Sequence, residues 1–451
     1  MGKYNVICIA LDTLRADHLG AYGYPKKTSP AIDAFASSSS VFTNFFAPGI
    51  PTQPSYSTVF TGQYPLTHGI IAHGTAFYGE KPINPNSPLL PVIMAENKYL
   101  TSAVDNLANM KPWFLNGYEF YTTPATTRIQ NFYQTVQAED ITKRATEWLE
   151  RYHRENFFLF VHYWDPHTPY LPPEDLVPLF YPKDKNPYNP EDTRMKEFYQ
   201  TPHGKAWSKT WLTKQGKLIT DPEYVEALYD AEIRYMDGWL EKFFYFCKSK
   251  GLFNNTVFVI FSDHGEIMYS HPGFFDHHGL YDCNIHCPLI VYVPDLKPRR
   301  IDFLTQHVDI APTILNLCNI PVDPKMEGND LSGYLFNTKT DETYDFLVTE
   351  ECTYQAKWAI RTKEHKLIVS RNDKDIHGCP PVELYDLTTD KAEQKNIAVC
   401  QRETVNALQA KMELWIADML RKNNLDEDPL KYTEPPLGAN WDKFVAKHKY
   451  W

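Results

Sequence analysis

Short, strongly apolar runs alternate with stretches of helical length along most of this sequence. The runs are rich in Val, Ile and Phe, and they are Asn5–Leu11, Phe157–His162, Thr256–Phe261 and Leu289–Val293. Strands separated by helix-length connections favour a mostly parallel sheet sandwiched between helices. The clearest helix lies in Tyr224–Phe244, where apolar residues recur at helical spacing. The sequence therefore predicts an α/β fold with one large sheet.

A chain of 451 residues is long enough for a second core, because single cores stop growing at roughly 250–300 residues. The composition changes near residue 345, so we expect a catalytic domain over 1–345 and a small α+β domain with an extended arm over 346–451. The predicted elements of the small domain are the strands Trp358–Ile360, Lys366–Val369 and Glu383–Leu387 and the helix Glu403–Arg421. A segment rich in Pro and Tyr, residues 174–221, is predicted to run near the pocket.

Charge and cysteine content exclude several classes of function and location. The net charge is −11, which argues against a nucleic-acid groove or a polybasic membrane surface. The apolar run before Asp12 is too short for a signal peptide or a membrane span. The 8 cysteines are scattered, which favours free thiols. We therefore expect a cytoplasmic protein with no membrane partner.

Two of the apolar runs end directly in side chains that bind metals. Asp12 follows the first run, and Asp263 and His264 follow the run Thr256–Phe261. Ligands bind outside the carboxyl ends of strands in open α/β sheets, and two carboxylates with an imidazole suit a divalent cation. Each residue alone could equally be a helix cap after a strand. Together they predict a metal site.

A hydroxyl-rich segment, Pro51–Pro65, predicts the start of a helix. Pro54 suits the first turn of a helix, whose free backbone N–H groups and dipole attract an anion. Thr52 at this terminus could act as a nucleophile if it touched a metal. The alternative is that Thr52 or Ser55 only caps the helix. The local pattern leaves both interpretations open.

A family resemblance is carried by nine segments that occur in the same order along nearly the whole chain. They are LDTLRADHLGAYGY, TSPAIDAFASSSSVFTNFFA, the Thr52–Gly69 stretch, HYWDPHTPYLPP, LYDAEIRYMD, FSDHGE, HGLYD followed by CPLIVYVP, HVDIAPTILNL and ELYDLTTD. In these segments the chain resembles the sulfatase family of the alkaline phosphatase superfamily. The resemblance implies a metal-dependent hydrolase with a small C-terminal domain.

The chain departs from that family at the nucleophile. Sulfatases carry Cys-x-Pro-Ser-Arg, with the Cys oxidised to formylglycine, whereas this chain has Thr52-Gln53-Pro54-Ser55-Tyr56. Formylglycine cannot form on Thr, so none is expected. A Thr at this place is similar to nucleotide pyrophosphatase/phosphodiesterases and phosphoethanolamine transferases. Thr13, where sulfatases usually have a second Asp, resembles the phosphonate monoester hydrolase branch.

The resemblance implies a role for ten residues. The implied metal ligands are Asp12, Thr52, Asp263 and His264; the implied catalytic residues are Thr52, His167 and His278; the implied substrate contacts are Ser55, Tyr56, His162 and His277. A His ligand favours Zn or Mn, with Ca or Mg as alternatives. His271 and Asp276 are expected to join His277 and His278 in a cluster on the leaving-group side. A second ion held by Asp165, His162, His167 and His278 is a further alternative.

Two positive charges of the family pattern are missing, the Arg at Tyr56 and a Lys near His277. We therefore predict cleavage of phosphodiester or phosphonate monoester bonds through Thr52, because a monoanion needs less neutralisation than a dianion. The alternatives are a sulfate-ester hydrolase without formylglycine, a phosphoryl-group transferase, and a non-catalytic glycan-binding protein. The expected partner is a small-molecule or glycan ester, and a homo-oligomer is possible.

Overall fold

The computed structural model describes residues 4–73, 82–124, 137–373, 375 and 377–437. Its strands are β1 (Asn5–Leu11), β2 (Ser40–Phe46), β3 (Gly49–Ile50), β4 (Leu100–Val104), β5 (Phe120–Thr122), β6 (Phe157–Tyr163), β7 (Thr213–Lys214), β8 (Lys217–Leu218), β9 (Thr256–Phe261), β10 (His286–Tyr292), β11 (Arg300–Ile301), β12 (Thr305–Gln306), β13 (Leu347–Glu351), β14 (Lys357–Arg361), β15 (His365–Ser370) and β16 (Val382–Asp386). Its α-helices are α1 (Pro30–Ala36), α2 (Thr52–Thr61), α3 (Pro65–His68), α4 (Leu90–Glu96), α5 (Leu107–Met110), α6 (Ala138–Tyr152), α7 (Pro202–Trp207), α8 (Pro222–Ser249), α9 (Asp282–Ile285), α10 (Ile310–Leu317), α11 (Ser332–Leu335) and α12 (Arg402–Lys422).

The large sheet is mostly parallel, as predicted. Its order in the described part of the chain is β11-β2-β10-β9-β1-β6-β4-β5, with β12 also paired to β2. The central strands β9, β1, β6, β4 and β5 run parallel. Strand β10 is antiparallel to both of its neighbours. No long helix crosses back between β9 and β10, and parallel pairing needs such a crossover.

Both faces of the large sheet are covered, because the side chains of β1 alternate between two buried cores. Val6, Cys8 and Ala10 pack on the side of α2. Ile7, Ile9 and Leu11 pack on the side of α8. Buried parallel strands read as continuous apolar runs for this reason. The predicted α/β fold with helices on both faces of a large sheet is confirmed.

A smaller sheet follows in the C-terminal part, with the order β16-β15-β14-β13-β3. Helix α12 packs on it through Met412, Ile416 and Met419. Strand β3 comes from far earlier in the chain and pairs in parallel with β13. Only glycine fits at Gly49, because a Cβ there would lie 2.6 Å from the Pro65 ring. The backbone just before Thr52 is thus part of the smaller sheet.

Four further features concern segment 174–221, the cysteines, the helices and the C-terminal arm. Segment 174–221 contains α7 and the hairpin β7–β8. All 8 cysteines lie in the described residues and none forms a disulfide bond, as predicted. Among the described residues, no helix is both long and apolar enough to cross a membrane. The last part of the predicted C-terminal arm, 438–451, lies outside the described residues.

Candidate active site and metal centre

Three predicted metal ligands meet at the carboxyl ends of two neighbouring strands. Asp12 follows β1, and Asp263 and His264 come just after β9, which pairs with β1 in parallel. Their ligand atoms lie within 4.8 Å of one another, and all three residues are fully buried. Asp12 Oδ1 and Asp263 Oδ2 have no hydrogen-bond partner among the described residues. Such oxygens are expensive to bury unless a cation meets them.

The electrostatics of this centre also fit a cation. Burial, followed by the negative charge of Asp12, raises the pKa of Asp263 well above its usual range. Two buried carboxylates repel each other, and an ion of opposite charge removes that repulsion. Asp263 is held in place by the backbone N–H groups of Thr13 and His264, at 3.1 and 2.9 Å from Oδ1. The donor set therefore fits a divalent metal ion.

Thr52 stands beside this centre at the first position of α2. Its Oγ1 lies 3.3 Å from His264 Nε2, and the residue is buried. No side-chain cap bonds the N-terminus of α2. The capping alternative is therefore wrong for Thr52, whose hydroxyl faces the metal-ligand His264. Thr52, Asp12, Asp263 and His264 are brought together as the resemblance implied.

Ser55 and Tyr56, the two predicted substrate contacts of α2, bond to residues of the centre. Ser55 Oγ donates to the Asp263 carbonyl at 2.7 Å. The Tyr56 side chain is fully buried, and its hydroxyl lies 2.8 Å from His162 Nε2. The physical reason is helix geometry, because residues 55 and 56 lie one turn deeper than Thr52. Both side chains hold neighbouring residues of the centre in place through these hydrogen bonds.

His162, a further predicted substrate contact, bonds to the candidate metal ligand Asp12. It is fully buried, with Nδ1 2.7 Å from Asp105 Oδ1 and Nε2 3.1 Å from Asp12 Oδ2. Burial lowers the pKa of His162, but the hydrogen bonds to Asp105 and Asp12 outweigh it and raise the pKa to about 9. His162 therefore orients Asp12 and is itself oriented by Asp105.

His167 and His277 lie next to the centre, as predicted. The His277 ring stacks on His264 with centroids 4.9 Å apart, and it lies 5.0 Å from the His167 ring. His167 Nδ1 donates to the Thr168 carbonyl at 2.6 Å. That bond leaves His167 Nε2 available for a proton that a leaving group could take. His277 Nδ1 lies 3.1 Å from Asp276 Oδ1.

His278 does not occupy the catalytic position that the resemblance implied. Its fully buried ring stacks on Tyr354 with centroids 3.6 Å apart. Its two nitrogens face Asp276 and His377, at 3.0 and 2.8 Å. Of the two neighbours, His277 stacks on His264, and the His278 ring lies 6.3 Å from the His277 ring. His278 lies behind Asp276.

Two further expectations fail in the structure. His271 lies outside the His277 cluster, stacked on Tyr281 at 3.8 Å and bonded to the Ala392 carbonyl. The second ion site built on Asp165 is also wrong. Burial raises the pKa of Asp165 to about 7, and its carboxyl pairs with Glu232. His162 is meanwhile occupied by Asp105 and Asp12.

Several residues of the site were not predicted from the sequence. Asp105 follows β4 directly, so the strand-end rule would have found it had β4 been recognised. Glu266 is fully buried within the FSDHGE segment and groups with Asp276 and His277. His203 and His377 reach Asp276 and His278 from distant segments. No local pattern in the sequence marks those two residues.

Gly265 fixes the position of His264, which makes it a sensitive point of the site. A Cβ at Gly265 would lie 2.1 Å from the Cys283 carbonyl oxygen. We expect Gly265→Ala to lower the free energy of unfolding by about 1–3 kcal/mol, because the backbone must shift. The matched control is Gly238→Ala in α8, where no heavy atom lies within 4 Å; it should stabilise by about 0.5–1 kcal/mol. Urea unfolding measures the free energy of unfolding of both variants. Equal changes in the two would contradict the explanation by the contact with the Cys283 carbonyl.

A cavity of about 300 Å³ opens beside α2 in the described part of the chain. Gln53, the neighbour of Thr52, lines it together with Lys111 and the segment Gly69–Ala72. Leu425 and Tyr432 of the C-terminal part close its other side. A space of this size, lined by Gln53, can hold the alcohol portion of an ester.

Comparison with protein-family models gives two matches. The sulfatase model matches residues 4–320, which is more than half of the chain. The model described as N-sulphoglucosamine sulphohydrolase, C-terminal, matches residues 270–422. The two matches together span both sheets.

Curated relatives and solved structures agree with these matches. An ulvan-active sulfatase of Formosa agariphila is 24% identical over 92% of this chain and 82% of its own length. A Δ4,5-hexuronate-2-O-sulfatase of Bacteroides thetaiotaomicron is 23% identical over 99% of this chain and 95% of its own length. A structure in complex with its substrate D-glucosamine-2-N,6-O-disulfate superposes with TM-score 0.74 and 18% identity, covering 96% of this chain and 100% of that chain. The phosphonate monoester hydrolase of Agrobacterium radiobacter superposes with TM-score 0.72 and 19% identity, covering 93% and 96%. At these identities, the two structures show the fold alone.

The comparisons overturn the predicted substrate class. Phosphodiester or phosphonate monoester cleavage was the main expectation, but the curated relatives are named as sulfatases, including an N-acetylglucosamine-6-O-sulfatase of Bacteroides thetaiotaomicron. The sulfate-ester alternative is the better supported one. With its buried metal-ligand cluster and both family matches, the chain is a hydrolase that belongs to the sulfatase family of the alkaline phosphatase superfamily.

Proposed function

We propose that this protein hydrolyses sulfate esters of small carbohydrates or glycans through Thr52. The observation that carries the proposal is the alignment of this chain, nearly end to end, with a hexuronate-2-O-sulfatase. The chain also has a buried cluster of Asp12, Asp263 and His264 beside Thr52. A non-catalytic glycan-binding protein has no need for that combination. The ulvan-active relative supports a sulfated carbohydrate as the substrate class.

Asp12, Asp263, His264 and Thr52 are the residues that would hold the metal ion. A bound divalent cation supplies Lewis-acid stabilisation of a sulfate oxygen and lowers the pKa of a hydroxyl beside it. The imidazole in the donor set favours Zn or Mn for this chain, and Ca and Mg are the competing candidates.

The chain's own residues account for binding and proton transfer. Thr52 is the first residue of α2, so the positive end of the helix dipole lies beside it and favours a sulfate group. Thr52 gives up its hydroxyl proton to water, its Oγ1 attacks sulfur, and the bond from sulfur to the substrate alcohol breaks. A protonated His167 gives its Nε2 proton to the leaving alcohol. The His167 Nδ1 bond to the Thr168 carbonyl keeps the ring oriented for that transfer.

Thr52 requires a different second step from formylglycine. The hydrate of formylglycine carries a second hydroxyl, which expels sulfate without attack at sulfur. Thr52 has a single hydroxyl, so water must cleave its Oγ1–S bond. Hydrogen sulfate leaves, and the proton from water restores the Thr52 hydroxyl. We therefore expect the breakdown of the Thr52 sulfate ester to limit turnover.

The experiment is a substrate panel with the purified chain under chelated and metal-loaded conditions. The panel contains an aryl sulfate, sulfated mono- and disaccharides, a phosphodiester and a phosphonate monoester, with Ca, Mg, Mn or Zn added in turn. We expect sulfate release only with metal, and a fall in kcat/KM on the order of 10³-fold for Asp12→Asn. Ion chromatography measures the released anion.

The matched control is Asp17→Asn, which changes an exposed carboxylate on the same segment that pairs with Arg15. It should keep turnover within a few-fold of the unmodified chain. Cleavage of the phosphorus esters with no sulfate release from any sulfate ester would contradict the proposal.

A further inference from the structure

A second group of metal-binding side chains lies outside the Asp12 centre. It consists of His203 from α7, and Asp276 and His278 from the loop after β9; we call these three residues the His203 cluster. Their ligand atoms lie within 4.8 Å of one another, and all three residues are buried. The cluster shares no residue with the centre of Asp12, Asp263 and His264.

Two of the three separations between ligand atoms in the His203 cluster fit those around a tetrahedral metal ion. Asp276 Oδ2 lies 3.3 Å from His203 Nε2 and 3.0 Å from His278 Nε2. Zinc bonds of about 2.0–2.1 Å in a tetrahedron place neighbouring ligand atoms about 3.3 Å apart. Both imidazole nitrogens thus approach the same carboxylate oxygen at the separation that a shared ion sets.

Hydrogen bonding at His278 supports an ion at this place. Its Nε2 lies 3.0 Å from Asp276 Oδ2. Its Nδ1 lies 2.8 Å from His377 Nε2. If Nδ1 donates to His377, the Nε2 lone pair faces a carboxylate, which is repulsive without a cation. Metal-binding histidines typically donate their second N–H to an outer partner in this way.

We propose that the His203 cluster binds a divalent transition-metal ion of the Zn²⁺ class, next to the active site. Two imidazoles and one carboxylate suit Zn²⁺, Mn²⁺, Co²⁺ or Ni²⁺ better than Ca²⁺ or Mg²⁺, which take mainly oxygen ligands. Three protein ligands leave a fourth position open for water.

This ion joins parts of the chain that are far apart in sequence. His203 belongs to segment 174–221, Asp276 and His278 follow β9, and His377 lies between β15 and β16. Asp276 Oδ1 also lies 3.1 Å from His277 Nδ1, and the His277 ring stacks on His264. The ion therefore places a positive charge next to Asp276, whose other carboxylate oxygen faces His277.

The test counts bound metal and does not depend on turnover. Wild-type protein is stripped with a chelator, and Zn²⁺ is titrated in by calorimetry, with elemental analysis after desalting. We expect two ions per chain for the wild type, and one ion for His203→Ala. Asp263→Asn should also leave one ion, through loss at the other centre, and the double variant should leave none.

The matched control is His271→Ala, which removes a buried histidine of the same loop that stacks on Tyr281. It should keep both ions. Wild-type protein that saturates with a single ion overturns the proposal, and so does a folded His203→Ala chain that keeps two. If His203→Ala does not fold, His203→Gln and the wild-type stoichiometry decide the matter. Failure of sulfate release with two ions bound would contradict only the proposed function.

Discussion

Replacing Thr52 with Ala should lower kcat/KM for a sulfate ester on the order of 10³-fold or more. Covalent catalysis and one contact to the metal ion are lost together in this variant. The fold should survive, because the Thr52 side chain makes no cap bond to α2. A loss of about 1 kcal/mol or less is expected in the free energy of unfolding. Initial rates and urea unfolding measure the two effects separately.

Two variants serve as controls for Thr52→Ala, one at Thr52 itself and one at the nearby Ser55. Thr52→Ser keeps a hydroxyl at the same atom and should retain part of the activity. Ser55→Ala removes the hydroxyl that donates to the Asp263 carbonyl, so a smaller loss of turnover is expected, on the order of tenfold. If Ser55→Ala abolishes turnover and Thr52→Ala leaves it unchanged, Thr52 is not the nucleophile.

Replacing Lys366 with Met should destabilise the chain by about 3–5 kcal/mol. Lys366 lies on β15 and is fully buried. Its ammonium group contacts Asp282, Glu393 at 2.7 Å and the Leu280 carbonyl at 3.0 Å. Methionine has a similar length but leaves both carboxylates without their shared cation. Urea unfolding with a fixed m-value measures the loss.

Lys363→Met is the matched control, because the Lys363 side chain is 52% exposed and pairs with Glu342 at the surface. It should change the free energy of unfolding by under about 1 kcal/mol. Adding Glu393→Gln to Lys366→Met should recover part of the loss, since one buried charge is removed. Equal changes in the free energy of unfolding for the two Lys variants would show that the buried ammonium group contributes no more to stability than an exposed one.

The sequence predicted the sheet well, because buried parallel strands are continuous apolar runs. β1 and β9 have the predicted bounds, and β6 is one residue longer than predicted. The direction of β10 could not be predicted, since direction depends on the connection and not on the strand's own residues. β3 was also missed, because a two-residue strand has no periodicity of its own.

The site was predictable where side chains follow strands and unpredictable where they come from loops. Asp12, Asp263 and His264 meet because parallel strands end at the same edge of the sheet. The orientation of His278 depends on its contacts with Tyr354 and His377, which come from the smaller sheet and its loops. Contacts between segments that are distant in the chain cannot be predicted from the sequence around His278.

The prediction of a phosphorus ester was wrong for a chemical reason. The missing Arg and Lys favour a monoanionic group at the active site. A sulfate monoester carries a single negative charge, as a phosphodiester does. The missing charges therefore disfavour dianionic phosphate monoesters, but they do not distinguish sulfur from phosphorus.

The pairing of β3 with β13 bears on how chains of this kind can be recombined. Residues Gly49 and Ile50 pair with Glu350 and Glu351, and Thr52 follows two residues later. A chimera joined near residue 345 would bring a foreign edge strand against the backbone that carries the nucleophile. The C-terminal part is thus not an interchangeable module. It has to be inherited together with the segment that precedes Thr52, and an engineer who wants a new pocket wall must transplant both.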